Sequence, residues 1–333
     1  MLLINCHLLF TTYYLLLTTN YLNPPEIQNM IQVGLELAYV EKFDSAEVYF
    51  QKIIEQYPDN PAGYFFKSAL LQLRMMDGCH FNEEKDYYEL MKQVRKICEK
   101  ILGTEENLWA EFYLGSSYAY QAVYEGLKKN YLETFNYGVK GGRILQSIIK
   151  KDSLFYDAYL GAGTYEYFWA RASRYLPFLK LAGGDVPEAI RKLNIAAEHS
   201  LYAGPTARNS LVFIYGEEKQ YEIATQIIDS LISNYPASRT FHWNKAELEF
   251  KRKNYSGALE NYQWLFANYV ADENYSNLAQ CKLYIGKCYL EMGKRPEAKI
   301  ALKEVIGYKK FQEKYPKIKE YCREAYSLLS RIL

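Results

Sequence analysis

Apolar residues recur along the chain at the spacing of one face of a helix, and the same local pattern returns around five alanines. The interval from Ala224 to Ala258 is 34 residues, and in three cases a small residue also lies twelve positions before the alanine. A fixed period of this length indicates stacked supersecondary units. The five alanines are Ala46, Ala189, Ala224, Ala258 and Ala298.

Prolines mark where the helices of each unit begin and end. Pro58 and Pro236 follow twelve residues after an alanine, where proline ends a helix because it cannot continue the backbone hydrogen bonds. Pro187 and Pro296 take the first helical position instead, where the missing N–H costs nothing. The pattern therefore predicts helix-turn-helix units in which small residues let the two helices approach closely.

The repeated positions resemble the tetratricopeptide-repeat family over about residues 27 to 310. The fifth unit carries the pattern on Leu211, Tyr215, Ala224, Ile228 and Pro236. The resemblance implies an all-α fold, a right-handed α-solenoid of about seven helix-turn-helix repeats over 26–315. A charged-faced amphipathic segment over 316–333 is predicted to be the terminal capping helix that such stacks require.

The fourth repeat contains an insertion. Leu160-Gly161 marks its first helix, but the matching Ala189 follows 28 residues later instead of twelve, and the extra residues fall within 167–186. Residues 152–201 also resemble, more weakly, the eukaryotic inclusion-body-clearance branch of repeat proteins. This likeness suggests that the insertion is a specialised element.

Residues 1–25 form an apolar leader, since the first charged residue is Glu26. The leader is short for a membrane span and lacks the basic start of a typical signal peptide, yet a signal peptide explains its apolar core best. Export to the periplasm or cell surface is predicted, with a mis-set start codon or a hydrophobic cap in a cytoplasmic protein as alternatives. A chain beginning at Glu26 is expected to melt like the full chain.

Charge and chemistry exclude several classes of function. A formal net charge of +1 gives no overall field that would favour nucleic acid. With four histidines and no catalytic, zinc or phosphate-loop motif, we predict no enzyme activity, no metal and no cofactor. The pair Gly141-Gly142 follows no predicted strand, so helix packing explains it better than a phosphate site. A hydrolase built on unrecognised carboxylates remains an alternative.

The predicted function is a non-catalytic scaffold that binds a peptide or a segment of another protein. The resemblance implies that the first helix of each repeat lines a concave groove, which is rich here in aromatic residues suited to contact surfaces. The alternative for these rings is that they fill contacts between helices. The predicted partner-binding residues of the groove and insertion are Trp109, Phe112, Phe155, Tyr165, Trp169, Arg171, Arg174, Asn209, Phe213, Trp243 and Glu247.

Binding is expected to centre on repeat four, where Trp109, Phe155, Tyr165, Trp169 and the two arginines should converge. Arg171 and Arg174 are three residues apart and share a face if the helix continues that far, where they could hold a carboxylate or phosphate. A rival function is a membrane-associated organiser that keeps its leader as an anchor and lays the insertion on lipid.

Overall fold

The computed structural model describes residues 22–175 and 184–332, with residues 174 and 175 described by their backbone alone. Helix α1 (Pro25–Tyr39) pairs with α2 (Phe43–Gln56), and six further pairs follow in chain order. These are α3 (Pro61–Gly78) with α4 (Glu84–Leu102), α5 (Leu108–Leu127) with α6 (Tyr131–Lys151), α7 (Ala158–Tyr175) with α8 (Val186–His199), α9 (Gly204–Glu217) with α10 (Tyr221–Asn234), α11 (Arg239–Lys251) with α12 (Tyr255–Val270), and α13 (Tyr275–Glu291) with α14 (Arg295–Gly307). A 3₁₀ helix (Tyr308–Phe311) and α15 (Lys317–Leu329) complete the described chain.

Seven helix pairs and a final helix are the architecture that the repeat pattern predicts, and the prediction is confirmed. All five repeat alanines are completely buried. Pro187 and Pro296 lie in the first turn of α8 and α14, and α2 and α10 end two residues before Pro58 and Pro236. The amphipathic segment after Tyr315 forms α15, which buries Ile318, Cys322 and Ala325 against α13 and α14.

The chain divides into two compact units. The first contains the described residues up to Gln72 together with Glu83–Ala207, and its core includes Phe66, Tyr113 and Tyr202. The second contains Leu73–Asn82 and the chain from Arg208 onward, so the last six residues of α3 belong to it. Its cores are built from Tyr262, Leu265 and Cys288 and from Leu302 and Ile318.

The folded part of the first unit begins earlier than the proline pair at 24–25 predicts. Leu22 is almost completely buried in the core, and its carbonyl accepts a hydrogen bond of 2.9 Å from Asn60 Nδ2. Asn23 is also buried, and the hydroxyl of Tyr202 donates to its side-chain oxygen. The expectation that a chain starting at Glu26 would melt like the full chain therefore conflicts with the packing of Leu22 and Asn23. Residues 1–21, the rest of the predicted leader, lie outside the described residues.

Two helices of the third repeat are longer than those of the fifth. Helices α5 and α6 have 20 and 21 residues, whereas α9 and α10 have 14 each, so each of the longer helices gains about 10 Å at 1.5 Å per residue. The turn that joins α5 to α6 is correspondingly exposed.

The glycine pair of α6 lies in the middle of the helix and serves helix packing, as the sequence predicts: Gly141 faces α5 and Gly142 faces Tyr165 of α7. A Cβ atom on Gly141 would lie 2.7 Å from the carbonyl oxygen of Gly115 and from the amide nitrogen of Ala119. Because both atoms are backbone, they cannot move aside without shifting α5.

We expect Gly141→Ala to lower the free energy of unfolding by about 1 to 3 kcal/mol through overpacking. Gly138→Ala, in the same helix, is the matched control because its Cβ would meet only the Cβ of Ala122 at 3.7 Å. That change should be neutral or stabilising by up to about 1 kcal/mol, since alanine favours helix over glycine. Urea unfolding followed by circular dichroism measures both, and equal losses would contradict the packing.

A second packing test concerns Ala224 in α10. Ala224 is completely buried and Glu222, two residues earlier, is exposed. Ala224→Leu should cost about 1 to 3 kcal/mol by overpacking, whereas Glu222→Ala should change stability by less than about 0.5 kcal/mol. Thermal unfolding of the two variants separates these values, and similar losses would refute the repeat register.

Candidate functional site

The structure places two of the predicted groove residues inside the core of the first unit. Trp109 is 7% exposed, and its ring centroid lies 4.7 Å from that of Phe155 and 6.0 Å from that of Tyr202. Phe112 is buried between Phe155 and Phe65. Little of either ring is accessible to a partner, because α3 and the turn before α9 bring their own aromatic rings to this face. Trp109 and Phe112 therefore follow the alternative given by the sequence, in which aromatic rings fill the contacts between helices.

Repeat four places a different set of aromatic rings together. The ring of Trp169 on α7 stacks between Phe135 of α6, at 5.8 Å, and Tyr165, one turn earlier, at 5.7 Å. The indole Nε1 of Trp169 is buried and has no acceptor in the part of the chain that the structure describes. The aromatic residues that were predicted to converge thus form two separate contacts. Trp109 packs on Phe155 in the core, and Tyr165 packs on Trp169 in this stack.

The long α5–α6 hairpin exposes large apolar side chains beside the stack. Tyr131 and Leu132 are 72% and 73% exposed, and Phe135 is 50% exposed. We call Tyr131, Leu132, Phe135, Tyr165 and Trp169 the aromatic edge. Sequence reasoning missed its first three residues. One signal in the sequence could have indicated the long hairpin, namely the long interval between Gly115, the small residue of α5, and the second helix of the same repeat.

Basic side chains lie beside the aromatic edge. Helix α7 continues to Tyr175, so Arg171 and Arg174 do share a helix, although the side chain of Arg174 lies outside the described residues. Arg171 Nη1 donates to the hydroxyl of Tyr167 at 3.2 Å. Burial raises the pKa of Tyr165, and the charge of Arg143 and its hydrogen bond to this tyrosine oppose that rise.

The end of the insertion is held firmly against α7. Gly184 has a φ of 114°, and a Cβ there would lie 2.6 Å from the amide nitrogen of Ala170, so glycine is required. The next amide, of Asp185, donates to Glu166 Oε1 at 3.1 Å. Glu166 Oε2 also pairs with the nearly buried Lys192 at 2.9 Å. Residues 176–183, the middle of the predicted insertion, lie outside the described residues.

In the second unit, α9 and α11 carry the remaining predicted residues. Asn244 Nδ2 donates to Asn209 Oδ1 at 2.6 Å. Phe213 is nearly half exposed, and the ammonium of Lys251 lies 5.7 Å from its ring centroid. These groups combine an accessible ring, an amide pair and a cation.

Trp243 and Glu247 differ in accessibility. Trp243 is half-buried, and its Nε1 donates to the hydroxyl of Tyr269 at 3.0 Å, so its polar atom is already used within the fold. Glu247 is exposed at its surface, and partial burial among its neighbours raises the pKa of its carboxyl group, an effect that the charge of Lys251 opposes.

The second unit also contains a polar network that the sequence did not predict. The carboxylate of Asp77, at the end of α3, lies 2.9 Å from Arg239 Nη2 and accepts a hydrogen bond of 2.6 Å from the hydroxyl of Tyr269. The Arg239 guanidinium also pairs with Asp272 and lies 4.6 Å from the ring centroid of Tyr269. Burial raises the pKa of Asp77, and Arg239 opposes that rise. These residues are distant in the sequence, so no local pattern signals the network.

No group of three or more His, Cys, Asp or Glu side chains among the described residues could hold a metal ion. Cys79, which the sequence places in a turn, has a φ of 53° directly after α3, and its thiol donates to Asn277 Oδ1. None of the described helices combines the length and apolar character needed to span a bilayer.

Comparisons with known proteins agree with the repeat architecture. The family model described as "Tetratricopeptide repeat" matches residues 280–308, which contain most of α13 and α14. The Cut9–Hcn1 hetero-tetramer of the APC/C is similar in structure at 15% identity and a TM-score of 0.53, covering 89% of this chain and 54% of that one. A tetratricopeptide repeat protein from Parabacteroides merdae is 15% identical with a TM-score of 0.43, covering 91% of this chain and all of that one. No curated protein sequence matches the chain. The resemblance predicted from the sequence is confirmed.

Proposed function

We propose that this chain, a protein of tetratricopeptide-like repeats, is a non-catalytic scaffold that binds a segment of another protein through the aromatic edge of its first unit. The observation that carries the proposal is the exposure of Tyr131, Leu132 and Phe135 on one hairpin, beside Trp169. Large exposed apolar groups are uncommon as a contiguous set on a monomer and mark interaction sites. Tyrosine and tryptophan are also enriched among the residues that contribute most to binding.

The chemistry of the edge favours a partner segment with an apolar anchor and an acidic residue. Leu132 and Phe135 are three residues apart on α6, so an apolar side chain of the partner can contact both at once. Arg171 and Arg143 supply positive charge on the neighbouring positions of α7 and α6. Arginine binds carboxylates through two parallel hydrogen bonds, which adds specificity to the apolar contact.

The predicted concave groove is retained in the proposal only for the second unit. Phe213, with Lys251 beside it, and the Asn209–Asn244 pair offer an accessible ring and side-chain amides. An extended peptide held by rings and amides would use these groups. Trp109 and Phe112 have no part in this proposal because they are buried.

The test compares two exposed leucines of the first unit. Leu132→Asp disrupts the aromatic edge, and Leu154→Asp is the matched control, because Leu154 is 68% exposed and lies in the turn after α6. Neither change should alter stability by more than about 0.5 kcal/mol. In an affinity pulldown from the native host with mass spectrometry, proteins retained by the full chain and by Leu154→Asp should be lost with Leu132→Asp.

Two results would overturn the proposal. One is unchanged recovery of the same proteins with Leu132→Asp. The other is co-sedimentation with phosphatidylcholine and phosphatidylglycerol vesicles that depends on Leu132 while no protein depends on it, which would favour the membrane-associated alternative.

The arginines of α7 are tested separately. Arg171→Ala combined with Arg174→Ala should reduce recovery of the partner while the protein stays folded, because surface arginines contribute little to stability. Unchanged recovery from a normally folded double variant would remove both arginines from the binding surface.

Export of the protein is a separate proposal that rests on the leader sequence alone. The mass of the protein isolated from its host tests it. Loss of about the first 20 residues, which leaves Leu22 in place, would indicate cleavage of a signal peptide, and the full mass would count against it.

A further inference from the structure

Positive charge is concentrated in the last part of a chain whose net charge is only +1. Residues 294–323 contain ten basic and four acidic side chains, and all of them belong to the second unit. Such an asymmetry is invisible in the total charge and affects association locally.

The basic side chains of this stretch are not neutralised by the fold. None of the ten forms an ion pair in the part of the chain that the structure describes. The lysines of the preceding helix α13 differ, because Lys282 lies 2.5 Å from a carboxylate oxygen of Glu304, and Lys287 lies 2.7 Å from one of Glu324. Glu304 is one of the four acidic residues of the stretch, so its pairing with Lys282 makes the local surplus of positive charge larger than the count of residues indicates.

Five of the unpaired lysines lie close together and are exposed, namely Lys309, Lys310, Lys314, Lys317 and Lys319, which we call the lysine segment. The residues between them anchor the backbone. The ring of Phe311 stacks on Tyr275 with centroids 3.7 Å apart, and Tyr315 and Ile318 are buried in the core. The lysines therefore extend from a packed base, and less backbone freedom is lost when they bind.

The lysine segment enters the N-terminus of α15, where positive charge is unfavourable. Lys317 and Lys319 lie in the first turn of this helix, in which Glu320 is the acidic residue, and Pro316 before it provides no side-chain cap. The N-terminus of a helix carries a partial positive charge, so cations there are destabilising and anions are stabilising. Phosphate groups bind at such positions for the same reason. An anion that binds the lysine segment would thus offset a charge arrangement that the fold leaves uncompensated.

The chemistry of the stretch favours the phosphates of a lipid surface over those of a nucleic acid. Eight of its ten basic residues are lysines, which act as point charges on flexible stems, whereas base edges are read mainly by the planar fork of arginine. Proteins that bind single strands also offer exposed rings for stacking, but Phe311 and Tyr315 pack on the core. Tyr326 of α15 is 51% exposed one turn after Arg323, and tyrosine is enriched at the level of lipid headgroups.

We propose that the lysine segment binds the second unit to the surface of a bilayer that contains anionic phospholipids. The long stems of the lysines let several ammonium groups reach the plane of the headgroup phosphates while the backbone stays packed. Clusters of roughly four to eight basic residues are typical of such binding, and the segment lies in that range. The proposal uses none of the aromatic-edge residues and stands independently of the proposed function.

Co-sedimentation of the full chain with lipid vesicles tests the proposal. Vesicles that mix phosphatidylcholine with phosphatidylglycerol should retain the protein at about 50 mM NaCl and release it at about 500 mM, because the screening length falls from more than 10 Å to a few ångströms. Vesicles of phosphatidylcholine alone should retain at least about tenfold less protein at the lower salt concentration. Lys309→Gln with Lys310→Gln should lower the partition coefficient on the mixed vesicles by at least about tenfold.

The matched control is Lys219→Gln with Lys253→Gln, which removes the same charge from two exposed lysines of the second unit outside the segment. This variant should be retained like the unchanged chain. Lys317→Gln with Lys319→Gln should weaken retention by at least about tenfold and leave Tm unchanged or slightly higher, because it removes cations from the N-terminus of α15. A merely structural role of these lysines predicts a lower Tm instead. Circular dichroism measures Tm and verifies that each variant is folded.

Several results would overturn the proposal. They are equal retention by the neutral vesicles, retention that the lysine variants do not weaken, and a loss in the control as large as theirs. Tighter binding to a DNA duplex of random sequence than to the mixed vesicles at the same salt concentration would also overturn it and would assign the segment to nucleic acid. Retention that depends on Leu132 and not on the lysines would count against both this proposal and the proposed function, whereas loss of protein partners alone would leave the lipid contact intact.

Discussion

Replacing Arg239 by alanine is expected to lower the free energy of unfolding by about 3 to 5 kcal/mol, because it leaves the carboxylate of Asp77 buried without its cation. Asp77 and Arg239 are both largely buried, and their side chains meet at 2.9 Å. Tyr269 would remain as a hydrogen-bond donor to Asp77, but a neutral hydroxyl does not replace the lost charge. Chemical unfolding followed by circular dichroism measures the effect.

The matched control is Lys100→Ala, which removes an ion pair to Asp59 that lies 3.4 Å apart at the surface. Its expected cost is less than about 1 kcal/mol, since exposed ion pairs contribute little. Arg239→Lys should be intermediate, because an ammonium keeps the charge but cannot serve Asp77 and Asp272 with the two arms of a guanidinium. Equal losses in the free energy of unfolding for Arg239→Ala and Lys100→Ala would show that the buried network stabilises the fold no more than a surface ion pair does.

A chain that begins at Glu26 should be less stable than one that begins at Tyr21 by about 3 kcal/mol or more. Burial of the Leu22 side chain is worth about 1.5 to 3 kcal/mol. The shorter chain also removes the acceptors of two buried donors, the hydroxyl of Tyr202 and the amide of Asn60, and each orphaned group costs about 1 to 3 kcal/mol.

Point variants of the full chain separate these contributions. Leu22→Ala should lose only the stabilisation that comes from burying the leucine side chain. The hydrogen bond from Asn60 should remain, because Asn60 donates to the backbone carbonyl of residue 22. Asn23→Ala should lose the partner of Tyr202 alone. Thermal unfolding of the two truncated chains decides the main point, and identical melting would mean that Leu22 and Asn23 are not part of the folded unit.

The sequence by itself determined the helices, their pairing and the capping helix. A helix is closed by hydrogen bonds between residues four apart, and each repeat packs on its neighbours, so spacing along the chain carries that information. The buried Ala224 and Ala258 illustrate this, since a 34-residue period alone identifies both as positions of close helix contact. Gly141 was likewise assigned to helix packing because no predicted strand precedes it, and in the structure it approaches the backbone of α5.

Tertiary structure alone decided which aromatic rings are accessible. Trp109 and Phe135 are both large aromatic residues of apolar patterns in the sequence, but Trp109 is enclosed by rings from α3 and from the turn before α9, whereas Phe135 lies on the extended end of α6. The partners of Asp77 lie more than 160 residues further along the chain. Which residues make such contacts depends on chain segments that meet only after folding. The apolar periodicity of a segment shows which face of that one helix is buried, so it carries no information about the distant residues that the face contacts.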